Sequence, residues 1–357
     1  MNIKNTKSEP VRPAQLLKPR VSGRFCLFLL LFLYISGSSL TGYSQELEGA
    51  IGFHGFVDNR EYAQSERNSQ TIFGARFSPE GGILLDSVHR LRIGVNLLHE
   101  FGSPDFIADA APVIYYQYQK QNHTFYLGAF PRYQLLDDYP RMILADTFNY
   151  FRPNIEGMLY RYATSTFKET IWIDWTGKQT DTDRETFLFG FSGKYQPGRF
   201  FISHYASMYH NALSKLSPPD QHLEDNGAVQ LQIGYDFSHQ TFLDSLTIAA
   251  GPTMSIERVR NVTDLNTPTG FVADLYASYK KFSVMNTFYT GDGHYLINGD
   301  AFYTSKSYNR LDLCWTPFQL KNIEGRLAFT FHFVDGVTSN QQAFSLRYHI
   351  SGKKRLK

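Results

Sequence analysis

The stretch AVQLQIGYDF, Ala228 to Phe237, interleaves two sequences. Val229, Leu231, Ile233, Tyr235 and Phe237 are apolar, whereas Ala228, Gln230, Gln232, Gly234 and Asp236 are small or polar. Strict alternation is the period of a β-strand whose two faces meet different surroundings. One such strand fits any half-buried sheet, so what decides the fold is how often the pattern recurs and where the chain is sent.

It recurs throughout the chain. RLRIGVNLL turns Leu91, Ile93, Val95 and Leu97 one way; TFYLGAF does the same with Phe125, Leu127 and Ala129. FLFGFSGKY, FVADLYASY, RLDLCW, EGRLAFTFHF and AFSLRYHI continue the series. Segments 46–57, 71–85, 111–120, 154–163, 168–176, 199–208, 245–255 and 282–290 are strand-like with less regular phase. The total is about sixteen strands, with fourteen as the lower count. Connections alternate between short ones (near 86–88, 121–122, 164–167, 196–198, 239–244, 280–281, 317–322) and longer ones (near 58–70, 102–110, 134–153, 177–184, 209–226, 256–268, 291–306, 334–340). Long and short connections therefore fall on opposite edges of an up-and-down sheet. No fixed repeat of a propeller or solenoid is visible.

Aromatic content is high, with 30 Phe and 23 Tyr among 357 residues. The single long apolar run, FCLFLLLFLYI at Phe25 to Ile35, is too short for a bilayer-spanning helix, which needs about 20 residues. Lys18, Arg20 and Arg24 precede it and the small residues Gly42 and Ser44 follow, the pattern of a cleaved export signal. Residues 1–44 are expected to be that signal, cut after Ser44, with 45–357 as the mature domain. The signal holds six Lys/Arg and one acid, which leaves 29 basic and 32 acidic residues and removes any case for a nucleic-acid partner. Cys26 lies in the run without the small residues of a lipid-attachment site. Cys314 alone remains, so no internal disulfide staples the exported chain.

An open sheet of sixteen strands exposes two edges, and hydrocarbon tolerates no unpaired N–H or C=O. Closure removes both difficulties, so the fold expected is all-β, a transmembrane antiparallel up-and-down β-barrel. The apolar face of AVQLQIGYDF would then meet lipid and its polar face a wet lumen. On these grounds the region 46–350 resembles the Gram-negative outer-membrane β-barrel proteins, porins most closely. The resemblance is architectural and rests on no diagnostic motif. It implies short periplasmic turns, longer external loops, aromatic girdles, a place in the outer membrane of a Gram-negative bacterium, and contact with lipid, lipopolysaccharide and the barrel-assembly machinery. Many such barrels end on an aromatic residue; here SGKKRLK follows Tyr348 and Ile350.

The resemblance also gives meaning to the longest connection, Gln134 to Asn154, the third on the long side. In general porins the third external loop narrows the pore. Asp137, Asp138 and Asp146 opposite Arg132, Arg141 and Arg152 could set a transverse field there. The competing reading is a loop held by Met142, Ile143, Leu144, Phe148, Tyr150 and Phe151. Phase also places Arg76, Arg92, Asp174, Lys194, Asp236, Asp274, Arg310, Asp312, Glu324, Arg326 and Arg347 in the lumen, with both signs mixed. Cross-strand pairing is the plain account of any one of them. Tyr115, Tyr126 and Tyr276 face the same way and could stack on sugar rings.

The leading expectation is a non-enzymatic channel for passive diffusion of small hydrophilic solutes, with no cofactor and no metal; monomer and homo-oligomer both stay open. The alternatives are an outer-membrane hydrolase of lipid or lipopolysaccharide, and a docking or export barrel. For a hydrolase, SHYASMYHN offers His204 and His210 near Ser203 and Ser207, while Ser192 in GFSGK lacks a nucleophile elbow. Asp181, Asp183 and Glu185, or Asp292 and Asp300, fall short of the spacing of a calcium loop.

Overall fold

A computed structural model describes residues 45–63 and 67–356. The expected export signal, 1–44 with Cys26, lies outside the described residues. Sixteen strands run in chain order: β1 Gln45–Glu61, β2 Gln70–Leu85, β3 His89–Glu100, β4 Asp109–Lys120, β5 His123–Pro131, β6 Asn154–Ala163, β7 Phe167–Gly177 and β8 Thr186–Tyr195. Then follow β9 Phe200–Asn211, β10 Glu224–Asp236, β11 Ser245–Val259, β12 Thr269–Tyr279, β13 Phe282–Gly291, β14 Ser307–Gln319, β15 Ile323–Val334 and β16 Val337–Arg355. Each pairs antiparallel with its chain neighbour, and β1 pairs with β16 to close the barrel.

The alternation seen in the sequence is the two-sidedness of this wall. Along β10, Val229, Leu231 and Ile233 are exposed on the outer surface, whereas Ala228, Gln230 and Gln232 are buried on the inner one. The same holds for Leu91 and Ile93 against Asn96, and for Phe189 and Phe191 against Ser192. Tyr and His residues gather on the outer wall near the short turns. His89 meets the Tyr116 hydroxyl at 2.7 Å, and His123 meets that of Tyr160 at 2.7 Å, the same pair on neighbouring hairpins. Amphipathic rings of this kind suit an interface between hydrocarbon and water.

Two boundaries differ from the sequence reading. The connection expected at 334–340 is a two-residue turn, Asp335-Gly336, with φ of 53° and 76° and Val334 facing Val337. Asp-Gly with both φ positive is the signature of a type I′ hairpin, so the long-loop rim has one tight turn. The basic tail does not trail free either. β16 runs on to Arg355, Glu46 faces Arg355 across the closing seam, and Lys353 Nζ reaches Glu46 at 2.8 Å.

The lumen is partly occupied by the chain's own loops. Segment 132–153, which includes the short helix α1 Phe148–Phe151, and segment 292–306, with a 3-10 turn at Ala301–Thr304, both fold inward. Backbone bonds join them: Ala145 N–H donates to Asn298 O at 2.8 Å and Asp300 N–H to Arg141 O at 2.9 Å. Leu136, Tyr139, Met142, Ile143 and Leu144 from the first, with Phe302 and Tyr303 from the second, share one apolar cluster with Val113, Trp172, Val272 and Tyr308 of the wall. One narrow place in the wall requires glycine: Gly128 has φ of 119°, and a Cβ there would stand 2.2 Å from Ile114 O.

The outer wall makes a test. Leu231→Arg should cost about 2–4 kcal/mol of folding stability in lipid vesicles if Leu231 sits near the bilayer midplane. Urea unfolding of the refolded barrel measures it; a cost under about 0.5 kcal/mol would place that band of β10 outside the hydrocarbon.

Candidate functional site

The inward segments are held by charge as well as by packing. Asp146, in the first, receives Arg141 at 3.0 Å and Arg310 of β14 at 3.0 Å. Arg310 also reaches Asp312 at 3.0 Å and Asp300 of the second segment at 3.5 Å, and Arg141 reaches Asp312 at 3.6 Å. The two guanidiniums hold the Asp146 carboxyl well below its ordinary range, against the opposing effect of burial, which is the largest single influence. Burial pushes Asp300 upward. On the other flank Arg132 is 4% exposed; it pairs with Asp174 and donates to Arg152 O at 3.0 Å and Asn154 O at 3.1 Å. Asp138 pairs with Lys168, and Asp137 accepts the Gln134 N–H at 3.0 Å.

These contacts place the residues proposed for a pore constriction. Asp138 and Asp146 are each met by cations close at hand, which ties the loop to the wall, and with Asp137, Arg132, Arg141 and Arg326 they also line a cavity of about 380 Å³ between the loop and the wall. The apolar residues of the competing reading are equally engaged, with Met142, Ile143 and Leu144 in the core and Tyr150 stacked on Phe56 at 4.8 Å.

Of the positions read as lumen-facing, most have local partners. Arg76 bonds Tyr150 O, Arg92 meets Glu48 at 2.9 Å, Lys194 lies 4.1 Å over the Phe201 ring, and Asp236 accepts Ser238 N–H at 2.8 Å. Asp274 accepts from Gln232 at 2.6 Å and from Thr287 at 2.6 Å, and Glu324 from Gln319 at 3.3 Å. Arg326 meets the buried Cys314 sulfur at 3.0 Å, and Arg347 lies 4.0 Å over Tyr133. Tyr115 of β4 and Tyr126 of β5 pack on each other and on Phe130 along the inner wall.

The serine–histidine pairing suggested by SHYASMYHN does not form. In β9 Ser203 and Ser207 are buried on the lumen side, and period two puts His204 and His210 on the outer wall. His204 there meets Glu169 at 3.2 Å across Gly193, and His210 stacks on Phe187 at 4.7 Å.

Sequence reasoning missed another pair. Ser255, on the lumen face of β11 four residues from its long-loop end, lies 2.7 Å from Nδ1 of His294 in the second inward segment. Ser255 is 0% exposed and His294 1%. Nε2 of His294 has no hydrogen-bond partner. The clamp around them is polar: Asn226 bonds Tyr295 O at 2.8 Å and Ile297 N–H at 3.0 Å, and Glu257 accepts Tyr295 N–H at 2.7 Å. Burial lowers the basicity of His294, with Asp292 opposing more weakly. The two residues stand 39 positions apart, so no local motif announces them. The other serine–histidine contact among the described residues, His54 with Ser345 at 3.2 Å, lies lower in the lumen. No group of three or more His, Cys, Asp or Glu positioned to hold a metal occurs among the described residues.

Sixteen antiparallel strands closed into an up-and-down barrel, apolar outside and polar within, define an outer-membrane protein of porin-like fold. Solved structures agree. OccK11 (OpdR) of Pseudomonas aeruginosa is similar at 10% identity with a TM-score of 0.52, covering 86% of this chain and 96% of that one. An anion-selective porin from Comamonas acidovorans is similar at 11% and 0.52, covering 87% and 100%. A loop-deletion form of OmpT from Vibrio cholerae is similar at 9% and 0.52, covering 86% and 99%. At such identities the likeness is one of fold. No curated protein matches the chain.

The chain belongs to the lipid A 3'-O-deacylase-type family, which it matches over residues 39–353. That corrects the expectation of a non-enzymatic channel, because the family is named for an enzyme activity. Alternating hydropathy reports a wall and its two solvents, and it is equally compatible with an open lumen and a plugged one.

The ion network makes its own test. Arg310→Met leaves Asp300 without its closest cation and removes one from Asp146 and Asp312. Stability should fall by about 3–5 kcal/mol, the usual result of stripping one partner from a buried pair. Urea unfolding should register the loss; an unchanged midpoint would mean that the network does not anchor the plug.

Proposed function

We propose that the barrel is an ester hydrolase acting on a lipid A-type acyl ester at its long-loop rim, with Ser255 as nucleophile and His294 as base. Family membership across 39–353 carries this reading. The inward segments support it, since two loops sharing an apolar core with the wall narrow the lumen. In outer-membrane barrels the longer loops face outward, the side on which lipopolysaccharide is presented.

The chemistry needs a hydroxyl and an acceptor in contact. Ser255 Oγ and Nδ1 of His294 are 2.7 Å apart, and in the tautomer with the ring proton on Nε2 the Ser255 hydroxyl donates to Nδ1. As Oγ attacks the acyl carbonyl, Nδ1 takes the hydroxyl proton. The same proton passes to the departing sugar oxygen, and water then cleaves the acyl-serine and releases the fatty acid. A base must be neutral to act, and burial favours the neutral His294 imidazole by lowering its pKa below the ordinary range. Because Ser255 is covered, substrate reaches it when the 293–298 run lifts from its Asn226 and Glu257 clamp.

Fatty-acid release from purified lipopolysaccharide, followed by mass spectrometry, tests the assignment. Ser255→Ala and His294→Ala should each lower the rate by roughly 10²–10⁴-fold. Full activity in both variants would remove these residues from the chemistry. The pH profile is a separate check. With the folded pKa of His294 depressed, the ring stays neutral as pH falls through 6.5. The acid limb of the rate should therefore lie below that value, and a limb centred above it would contradict a buried His294 base.

A further inference from the structure

A second feature of the lumen is unrelated to ester chemistry. Between the 132–153 segment and the wall formed by β1, β2, β15 and β16 lies a cavity of about 490 Å³. Its lining includes 319–322, around the β14–β15 turn, so it borders the short-turn rim, opposite the Ser255–His294 pair. Its volume falls within the range of small-molecule pockets.

Five basic side chains, Arg76, Arg132, Arg152, Lys321 and Arg347, line it against two carboxylates, Glu80 and Glu324. Three of the positive or polar groups stand on one rung. Arg76 of β2 and Arg347 of β16 both face His54 of β1, and all three point inward. Like charges placed so closely across a sheet repel. Glu324 faces Arg347 from β15, yet no ion pair within 4.0 Å joins them, and Glu80 is engaged at 3.9 Å by Arg92. Arg347 lies over the Tyr133 ring instead. Among the described residues, no carboxylate reaches within the ion-pair distance of Arg76, Arg152 or Arg347. Two donors are also left over. Nε of Arg76 and Nη1 of Arg132 have no hydrogen-bond partner; both atoms are covered, so they meet a ligand only when the side chains turn toward the cavity.

Buried guanidinium N–H groups without acceptors are costly. Guanidinium forks match the oxygen pairs of carboxylates and phosphates. We propose that this cavity is a binding site for a small water-soluble oxyanion, a carboxylate or phosphate compound entering from the short-turn rim, with Arg76, Arg132 and Arg347 as its main donors. The aromatic face of Tyr133 beneath Arg347 fixes the plane of one fork. Glu80 and Glu324 limit the site to ligands of modest negative charge. This site stands independently of the hydrolase reading, since it uses none of the residues placed in that chemistry.

Isothermal titration calorimetry of the full barrel in a neutral detergent tests it, with inorganic phosphate and succinate as separate probes. Saturable binding of one probe per barrel is expected, weakened at least 10-fold in Arg347→Gln and in Arg152→Gln. Binding of phosphate alone would define a phosphate site, and of succinate alone a carboxylate site; both support the proposal. Retained compact migration of unheated samples on gels confirms that each variant is folded. Arg152→Gln covers the case in which Arg347→Gln fails to fold, because the Arg152 side chain makes no ion pair. Absence of saturable heat with both probes, or equal affinity in folded variants, overturns the site.

Discussion

Everything in this molecule depends on a ring of backbone hydrogen bonds that has no end. A strand in hydrocarbon cannot leave its N–H and C=O groups unpaired, and a sheet leaves them unpaired at its edges. Pairing of β1 with β16 removes both edges at once. Side chains are then free to specialise by face, apolar toward lipid and polar toward the interior. The lumen that closure creates is too wide for wall side chains to fill in a barrel of this size. The 132–153 and 292–306 segments occupy part of it, and charges on the inner wall help to fasten them.

That division explains which features could be read in the sequence. Val229, Leu231 and Ile233 alternate with Gln230 and Gln232 because the environment alternates, so strand number, closure and inner and outer faces follow from local pattern. Asp335-Gly336 was missed: the longer connection expected at 334–340 is a two-residue turn, and the Asp-Gly pair was the signal that could have shown it. The plug was less legible. Segment 132–153 carries both charged and apolar residues, and the structure uses both: Asp146 is clamped by arginines while Met142 and Leu144 enter the core.

The candidate chemistry was the least accessible. His204 and Ser203 are adjacent in the chain, but adjacent residues on a strand point to opposite faces. Ser255 and His294 are distant in the chain and meet because a loop turns back into the barrel. Hydropathy cannot rank such contacts. Nor can it tell a channel from an enzyme of the same architecture, since both need the same wall; the family relationship separates them.

The closing seam also governs the order of events during biogenesis. Glu46 faces Arg355 and Glu61 faces Asn340, so the first strand waits for the last residues of the chain before its outer edge is covered. Contacts between such remote parts of a chain are the slowest to form. Until the seam shuts, the nascent sheet presents two bare edges, each a template for pairing with another chain. The extension of β16 to Arg355 lengthens that zipper, and Lys353 reaches Glu46 across it. The final strand is therefore a latch whose closure converts an aggregation-prone ribbon into an edgeless wall.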